Sequence, residues 1–420
     1  MLDGIKSKYI LQQIFQFMES YKYLHLIRYN KKIQNMLDLT IKDYELAYKD
    51  FNKIIIEIIA DQEYDSEYCS SKAKWGNCSK EDAQYVHTYF NDEKEEYLKT
   101  KEVPKEISKI KLIIDSDLKT FKGFFESIFL LKEINIIKFK RKDITDISRM
   151  FYMCVNLTKA NLANFNAINV TDMNCLFGQC LSLEQVNLSN LNTSKVTNMS
   201  HMFYLCKNLK ELDVSSFDTS NVENMDFMFY RCSSLNKLNL SNFNTSKIIT
   251  FQRIFDGCES LEELNVSSFD TSKITRMDWT FSQCKSLKEL KLENFNTNNV
   301  INMSAMFYGC KSLKELNTSN FDTTKVTKMD RMFFNCESLK ELSIENYNTN
   351  NVIKMSDMFN GCVVLTNLNM ENVNTEKVTD MKRMFLNCSE KLIKKIKEQY
   401  KNIKEEAFLE EEEEEKKNEN

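Results

Sequence analysis

The chain has 420 residues, of which 42% are hydrophobic, so it carries enough apolar material for a large buried core. Its formal net charge is −4, with 57 basic against 61 acidic residues, and this near balance argues against a nucleic-acid-binding footprint and against a wholly disordered chain. No run approaches the roughly 18 apolar residues of a membrane span, and the N-terminus lacks the apolar core of a signal peptide, which predicts an intracellular, cytoplasmic protein.

The first segment, residues 1–48, has apolar residues at helical spacing with basic residues between them, which predicts two or three short helices. Its Ile-Leu-x-x-Ile-Phe core is similar to an F-box, although Lys8-Tyr9 stands where that motif begins with Leu-Pro. The resemblance implies docking to a ubiquitin ligase, and the candidate docking residues are Ile10, Leu11, Ile14, Phe15 and Leu24. A plain helical cap on the following structure is the alternative interpretation.

Residues 49–127 change character and predict a small mixed β/α region. Three runs rich in Ile, Val, Tyr and Phe read as strands, at 54–59, 85–90 and 110–114. The connections between them are polar or charged, and the only proline of the chain, Pro104, lies in the second connection, which predicts exposed loops.

Residues 128–388 form a repeat array of about ten units. A cysteine recurs every 26 residues, at Cys154, Cys180, Cys206, Cys232, Cys258, Cys284, Cys310, Cys336, Cys362 and Cys388. A fixed period of this length is the signature of a solenoid, whose units stack and bury a shared core. In an opening unit, Ile128 replaces the cysteine.

Each repeat has a constant anatomy when positions are counted from its cysteine as zero. Leucine at +3 and apolar residues at +6 and +8 predict a strand, and an aromatic or aliphatic residue at +11 followed by Asn or Asp and then Thr predicts a polar turn. Apolar residues at +19, +22, +23 and +26 have the i, i+3, i+4, i+7 spacing of a short helical turn facing inward. The predicted fold class is therefore an α/β repeat, a leucine-rich-repeat-like solenoid.

The repeat Met-Phe-x-x-Cys-x-x-Leu-x-x-Leu-x-Leu, continued by Ser-x-Phe-Asp-Thr-Ser-x-Val, resembles the BspA-like leucine-rich-repeat family over residues 128–388. The resemblance implies a binding or adhesion role and supplies no catalytic residues. After the repeats, residues 389–409 predict a charged C-terminal capping helix. Residues 410–420 are too charged to pack and predict a disordered acidic tail.

The ten periodic cysteines predict a ladder of buried, reduced thiols rather than disulfides or a metal site. They occupy one inward position of each unit, and the total of 13 cysteines is odd. Equal spacing also distributes the thiols along a line, whereas metal ligands must converge on one point. We expect no metal and no cofactor.

The most variable outward positions are +21 and +24, which lie opposite the apolar stripe of the predicted helical turn. They carry aromatic and arginine side chains, which are favoured at protein interfaces. The candidate partner-binding residues are Tyr204, Phe227, Tyr230, Arg253, Trp279, Tyr308, Arg331 and Phe334. The alternative is that these side chains stack between neighbouring units and need no partner.

No phosphate loop, zinc-protease helix, nucleophile elbow or dinucleotide fingerprint occurs in the sequence, which favours a protein that is not an enzyme. The leading hypothesis is a protein–protein interaction scaffold that binds neither nucleic acid nor membrane. Two alternatives remain: an F-box-like ubiquitin-ligase substrate adaptor, and an exported surface or adhesion protein.

Overall fold

The computed structural model describes residues 30–61, 82–97, 107–115 and 120–410, together with Lys8, Leu11, Leu24 and Leu118. Helix α1 spans Lys31–Met36 and helix α2 spans Ile41–Asn52. Helix α2 begins with a capping box in which the Thr40 hydroxyl accepts from the N–H of Asp43 and the Asp43 carboxylate accepts from the N–H of Thr40. The helix ends beyond the predicted boundary at residue 48, where an extended backbone begins at Lys53.

A six-stranded mixed sheet follows, with the strand order β2-β3-β1-β4-β5-β6. Its antiparallel part consists of β1 (Ile54–Ala60), β2 (Val86–Phe90), β3 (Lys109–Ile114) and β4 (Leu131–Lys138). In β1, burial alternates along the strand because one face of the sheet packs into the core. Strands are therefore found at the three runs of β-favouring residues that predicted them.

Strand β4 joins this antiparallel part to the repeats, because it pairs antiparallel with β1 and parallel with β5. Each later strand belongs to one coil of the repeat and is only two or three residues long. These strands are β5 (Lys159–Asn161), β6 (Gln185–Asn187), β7 (Glu211–Leu212), β8 (Lys237–Leu238), β9 (Glu341–Ser343) and β10 (Asn367–Asn369). Equivalent residues of neighbouring coils pair in parallel, 26 positions apart, as Leu212 does with Leu238.

The interior of the stacked coils is one continuous apolar core. A phenylalanine at +23 of each coil stacks on its counterpart in the next coil, with centroid separations such as 5.8 Å between Phe177 and Phe203 and 5.9 Å between Phe203 and Phe229. The ladder cysteines beside these rings are buried, and the prediction that they point inward is confirmed. The core thus consists of columns, each made of one residue type repeated from coil to coil.

The predicted helical turn at positions +19 to +26 is wrong: the segment is a run of tight turns. In the coil that ends at Cys206, the N–H groups of Met202, Tyr204 and Cys206 bond to carbonyls three residues earlier in the same coil. The N–H groups between them donate instead to the next coil, as Phe203 does to the Met228 carbonyl at 2.9 Å. Alternating donors therefore satisfy the backbone without a helix and tie each coil to its neighbour.

This run of turns places positions +21 and +25 in the left-handed region, which usually requires glycine. Trp279 has a φ of 61° and Phe227 a φ of 58°, and at +25 Arg231 has a φ of 53° whereas Gly257 has a φ of 81°. A non-glycine residue held there costs about 1 kcal/mol, which is offset because the hydrogen bonds to the next coil hold every turn in place. The i, i+3, i+4, i+7 spacing fits both geometries, so the sequence pattern could not distinguish them.

The polar turn after each strand follows the prediction that short side chains bond nearby backbone. In one coil the Asn192 side-chain oxygen accepts from the N–H of Ser194 at 3.0 Å. The Thr193 hydroxyl is buried, donates to the Asp218 carbonyl of the next coil at 2.9 Å and accepts from the Asp218 N–H at 2.8 Å. Threonine is needed here because its hydroxyl both donates and accepts inside the core.

The stack extends beyond both predicted ends. At the N-terminal end, Gly123 and Phe125 already donate to Ser148 and Met150, so the turn ladder begins before residue 128. At the C-terminal end, helix α3 spans Glu390–Gln399, shorter than the predicted capping segment. The chain then returns so that Arg383 and Phe385 donate to the carbonyls of Glu406 and Ala407, and the Phe408 ring stacks on Phe385 at 5.5 Å. Residues 405–408 therefore take the place of one further coil.

Candidate functional site

The turn face, which we define as the side chains at positions +21 and +24, contains all eight candidate partner-binding residues. Seven of them are half-buried and Arg331 is exposed. At the N-terminal side, Tyr204 stacks on Tyr230 with centroids 5.0 Å apart and an interplanar angle of 10°. Phe227 stacks on His201 at 4.7 Å and meets Tyr230 edge-on at 5.7 Å. These aromatic side chains form one cluster across two coils.

A second aromatic cluster lies further along the same face. Trp279 packs against Tyr308 at 5.5 Å, and Tyr308 stacks on Phe334 at 4.7 Å with an interplanar angle of 4°. The Arg253 guanidinium lies between the two clusters, 4.3 Å from the Trp279 ring and 6.0 Å from the Tyr230 ring. A cation over an aromatic face is attracted by the ring quadrupole, so Arg253 joins the two clusters into one stripe.

Arginine Arg253 is held in place by a buried carboxylate. Its Nη1 donates to the Oδ2 of Asp256 at 2.6 Å, and the Asp256 side chain is only 7% exposed. Burial raises the pKa of Asp256 above its usual value, while the nearby Ser282 and Arg253 lower it. The side chain of Asp256 is therefore needed to orient the guanidinium that bridges the rings.

Arg331 belongs to a different, ionic part of the turn face. Its Nε lies 3.5 Å from the Oδ2 of Asp357, which Arg383 also engages through two nitrogens. Burial raises the pKa of Asp357, but hydrogen bonds from Arg383 and Asn360 and the charge of Arg331 outweigh it and hold the pKa below its usual value. The C-terminal end of the turn face is thus a network of charged side chains rather than of rings.

The column of rings at position +24 is interrupted between Tyr230 and Tyr308. There the two intervening coils carry Asp256 and Ser282, and the space above them is a cavity of about 530 Å³. Lys207 and Arg231 also line this cavity. The sequence analysis placed the rings on one face but did not single out this interruption, although the residue types at +24 show it.

The opposite, strand-side surface holds a second groove of about 930 Å³, between the later coils and helix α3. Glu341, Glu345 and Glu371 line it, together with Lys395, whose ammonium donates to the side-chain oxygen of Asn367 at 3.4 Å. The groove is predominantly acidic and contains no aromatic cluster comparable to the turn face.

A polar cluster missed by the sequence analysis lies in the antiparallel part of the sheet. The imidazole of His87 contacts the Glu96 carboxylate through Nδ1 at 2.8 Å and the Asp115 carboxylate through Nε2 at 3.2 Å. Burial lowers the pKa of His87, but the two carboxylates outweigh it and raise the pKa above its usual value. Among the described residues, no three metal-ligating side chains are grouped as a metal ion would require.

Of the candidate N-terminal docking residues, Ile10, Ile14 and Phe15 lie outside the described residues. Leu11 and Leu24 are 0% and 3% exposed and pack with Ile33 and Ala47 in a small cluster separate from the main core. Their side chains are thus occupied by internal packing, and docking through this segment stays a prediction.

Comparison with known families places the repeats. A family model described as "Mycoplasma protein of unknown function, DUF285" matches residues 119–238, 205–318 and 314–408. The chain belongs to the DUF285 family. The matched DUF285 region begins just before the turn ladder at Gly123 and ends at Phe408, whose ring stacks on the last coil. The DUF285 region thus includes both ends of the stack.

No curated protein matches this DUF285 chain. Among solved structures, it is similar to one described as "Crystal structure of TLR13-ssRNA13 complex", with 17% sequence identity and a TM-score of 0.26. That match covers 62% of this chain and 42% of the other, so the DUF285 chain spans less than half the length of that structure. Among its described residues, none of the helices is both long and apolar enough to cross a bilayer.

Proposed function

We propose that this protein is a non-enzymatic, intracellular protein–protein interaction scaffold, built as a BspA-like, leucine-rich-repeat-like solenoid. The observation that carries the proposal is the stripe of half-buried aromatic and arginine side chains along the turn face, from Tyr204 to Phe334. Aromatic and arginine side chains contribute most of the binding energy at protein interfaces.

The stacking of the rings supports this role because it keeps them in fixed positions. A ring held at about 5 Å from its neighbour loses little further rotamer freedom when a partner covers it, so the entropic cost of binding is small. The same stacking serves the alternative, in which the rings only pack coil against coil. A partner-dependent measurement separates the two roles.

The test is affinity capture from extracts of the source cells on immobilised full-length protein. The variant Tyr230→Ala/Trp279→Ala removes one ring from each aromatic cluster, and Lys237→Glu on the strand side, where Lys237 is exposed, is the control. We expect specific partners to be retained by the control and lost from the double variant. An identical set of partners on both would contradict the proposal.

The same capture addresses the two other hypotheses. Recovery of ubiquitin-ligase subunits would favour a substrate adaptor. Digestion of the protein by protease added to intact cells would favour an exported surface protein.

A further inference from the structure

The interruption in the +24 column has the dimensions of missing rings. Paired rings on either side are separated by 5.0 Å (Tyr204 and Tyr230) and 4.7 Å (Tyr308 and Phe334), which is the spacing of paired strands, about 4.8 Å. Three coil steps separate Tyr230 from Tyr308, or about 14 Å. The column would hold two further rings in that length, and Asp256 stands at one of the vacant places.

Each end of this gap is bounded by aromatic side chains. Tyr230 is covered by Tyr204 on one side, and on the other it is approached by the Arg231 guanidinium at 5.4 Å and by Arg253. Tyr308 is covered by Phe334 on one side and met by the tilted Trp279 ring on the other. A flat ring entering the cavity therefore meets aromatic and guanidinium surfaces at both ends.

The charge of the gap comes from its rim. Arg253 is neutralised by Asp256, and Glu259 pairs with Lys285 at 2.9 Å. Lys207 and Arg231 are exposed and make no ion pair with any residue in the part of the chain that the structure describes. The rim thus presents two cationic groups beside a gap bounded by rings.

We propose that the gap binds a partner segment that inserts an aromatic side chain between Tyr230 and Trp279 and places acidic residues against Lys207 and Arg231. This inference rests on the proposed function and names the chemistry of the partner. The inserted ring continues the interrupted column, and the flanking carboxylates pair with the cations of the rim. A basic segment would bring its charges against the same two cations.

The test is selection of random phage-displayed peptides on the full-length protein, followed by calorimetric titration of the enriched peptides. The informative variants are Ser282→Tyr, which places a ring in the gap, and Arg231→Glu, which reverses one rim charge. The repeat accommodates tyrosine at this position, because Tyr204, Tyr230 and Tyr308 occupy it in other coils. The matched controls are Ser282→Ala, which adds no ring, and Lys237→Glu on the strand side, and unchanged circular dichroism verifies folding.

We expect enriched peptides to carry an aromatic residue next to acidic residues, to bind Ser282→Tyr and Arg231→Glu at least about tenfold more weakly, and to bind both controls as they bind the native protein. Failure to enrich any peptide, enrichment of basic or non-aromatic peptides, or unchanged binding to Ser282→Tyr would each overturn the inference. If partners captured by the full-length protein are lost from Tyr230→Ala/Trp279→Ala but not from Ser282→Tyr, the inference fails while the proposed function stands.

Discussion

The thiol of Cys206 donates to the backbone carbonyl of Phe177, in the preceding coil, at 3.2 Å. The same carbonyl accepts the backbone N–H of Cys180, in its own coil, at 3.1 Å. One buried oxygen therefore serves two coils, and the arrangement recurs from the Cys154 thiol on Phe125 to the Cys388 thiol on Phe359. Cysteine suits this position because it is small, apolar and still carries a weak donor.

We expect Cys206→Ala to destabilise the protein by about 1–3 kcal/mol, because the substitution leaves a small cavity and removes one of the two bonds to the Phe177 carbonyl. Guanidinium denaturation of full-length protein measures the change. The control is Cys175→Ala, outside the ladder and half-exposed, which we expect to change stability by less than about 0.5 kcal/mol. Equal losses for both variants would contradict a structural role for the ladder.

Thiol reactivity distinguishes the ladder in a second way. Burial raises the pKa of Cys154 to about 12, and burial raises the pKa of Cys175 as well. At pH 8 the ladder thiols are therefore almost entirely protonated, and they are inaccessible, whereas Cys175 reaches solvent. We expect iodoacetamide to modify Cys175 before any ladder cysteine in native protein, as read by peptide mass spectrometry. Labelling of Cys206 at the rate of Cys175 would refute this expectation.

Stability should fall as pH rises through the titration of Asp226. Burial raises the pKa of this carboxyl from 3.8 to about 6, although bonds from Thr250 and the N–H of Gln252 lower it. A carboxyl whose folded pKa exceeds its unfolded pKa stabilises the fold below about pH 4, and that contribution is lost between pH 4 and 6. We expect Asp226→Asn to keep the acceptor for Gln252, to flatten this dependence and to add about 1–2 kcal/mol at pH 7, discounted for partial exposure.

Thermal unfolding of the native protein and Asp226→Asn at pH 4, 5, 6 and 7 measures this difference. The two proteins should have similar stability at pH 4 and diverge above pH 5. Parallel curves over the whole range would show that Asp226 does not carry the dependence.

A pair of buried hydroxyls in adjacent coils should be energetically coupled. Tyr347 occupies a column otherwise apolar, and Thr318 is a hydroxyl at an inward strand position that other coils fill with apolar residues. Burial raises the pKa of Tyr347 and the neighbouring Thr318 lowers it, and neither hydroxyl makes a well-aligned bond elsewhere among the described residues. We expect Tyr347→Phe and Thr318→Val each to cost about 1 kcal/mol and the double variant to cost less than their sum.

A double-mutant cycle from chemical denaturation gives the coupling energy, expected at about 1–2 kcal/mol. Additive effects would show that the two hydroxyls are independent.

The last coil should depend on the ring of Phe408, which stacks on Phe385 and lies 4.5 Å from the Lys397 ammonium. We expect Phe408→Ala to cost about 2 kcal/mol and to speed hydrogen exchange in residues 383–408 while leaving the first coils unchanged. Lys397→Ala, which keeps the ring, is the control. A uniform increase in exchange along the chain would argue against a local cap.

The period of the repeat and its inward residues could be predicted from the sequence because burial acts on every coil alike. Cys206 and Leu209 are each one member of a column, and the column is visible as a spacing. The turn geometry could not be predicted, because Trp279 occupies a left-handed position that sequence rules reserve for glycine. It is held there by a bond from its N–H to the Ser304 carbonyl of the next coil, at 3.0 Å.

The aromatic stripe was partly predictable. Tyr204 and Tyr230 differ by one period, so their stacking follows from the repeat itself. The bridge from Arg253 to Trp279 depends on rotamers that no spacing encodes. The cluster around His87 joins residues from three separate segments, and nothing in the sequence links them before the strands pair.

Because alternate donors of each turn run always point to the following coil, every coil offers the same acceptors to the one before it and the same donors to the one after it. Removing or inserting 26 residues between equivalent positions would rejoin like with like, whereas a change of any other length would misalign the thiol, threonine and phenylalanine columns together. The genetic unit of change in this molecule is accordingly the whole coil. Its reach can lengthen or shorten by duplication and deletion of coils without any new core having to be invented.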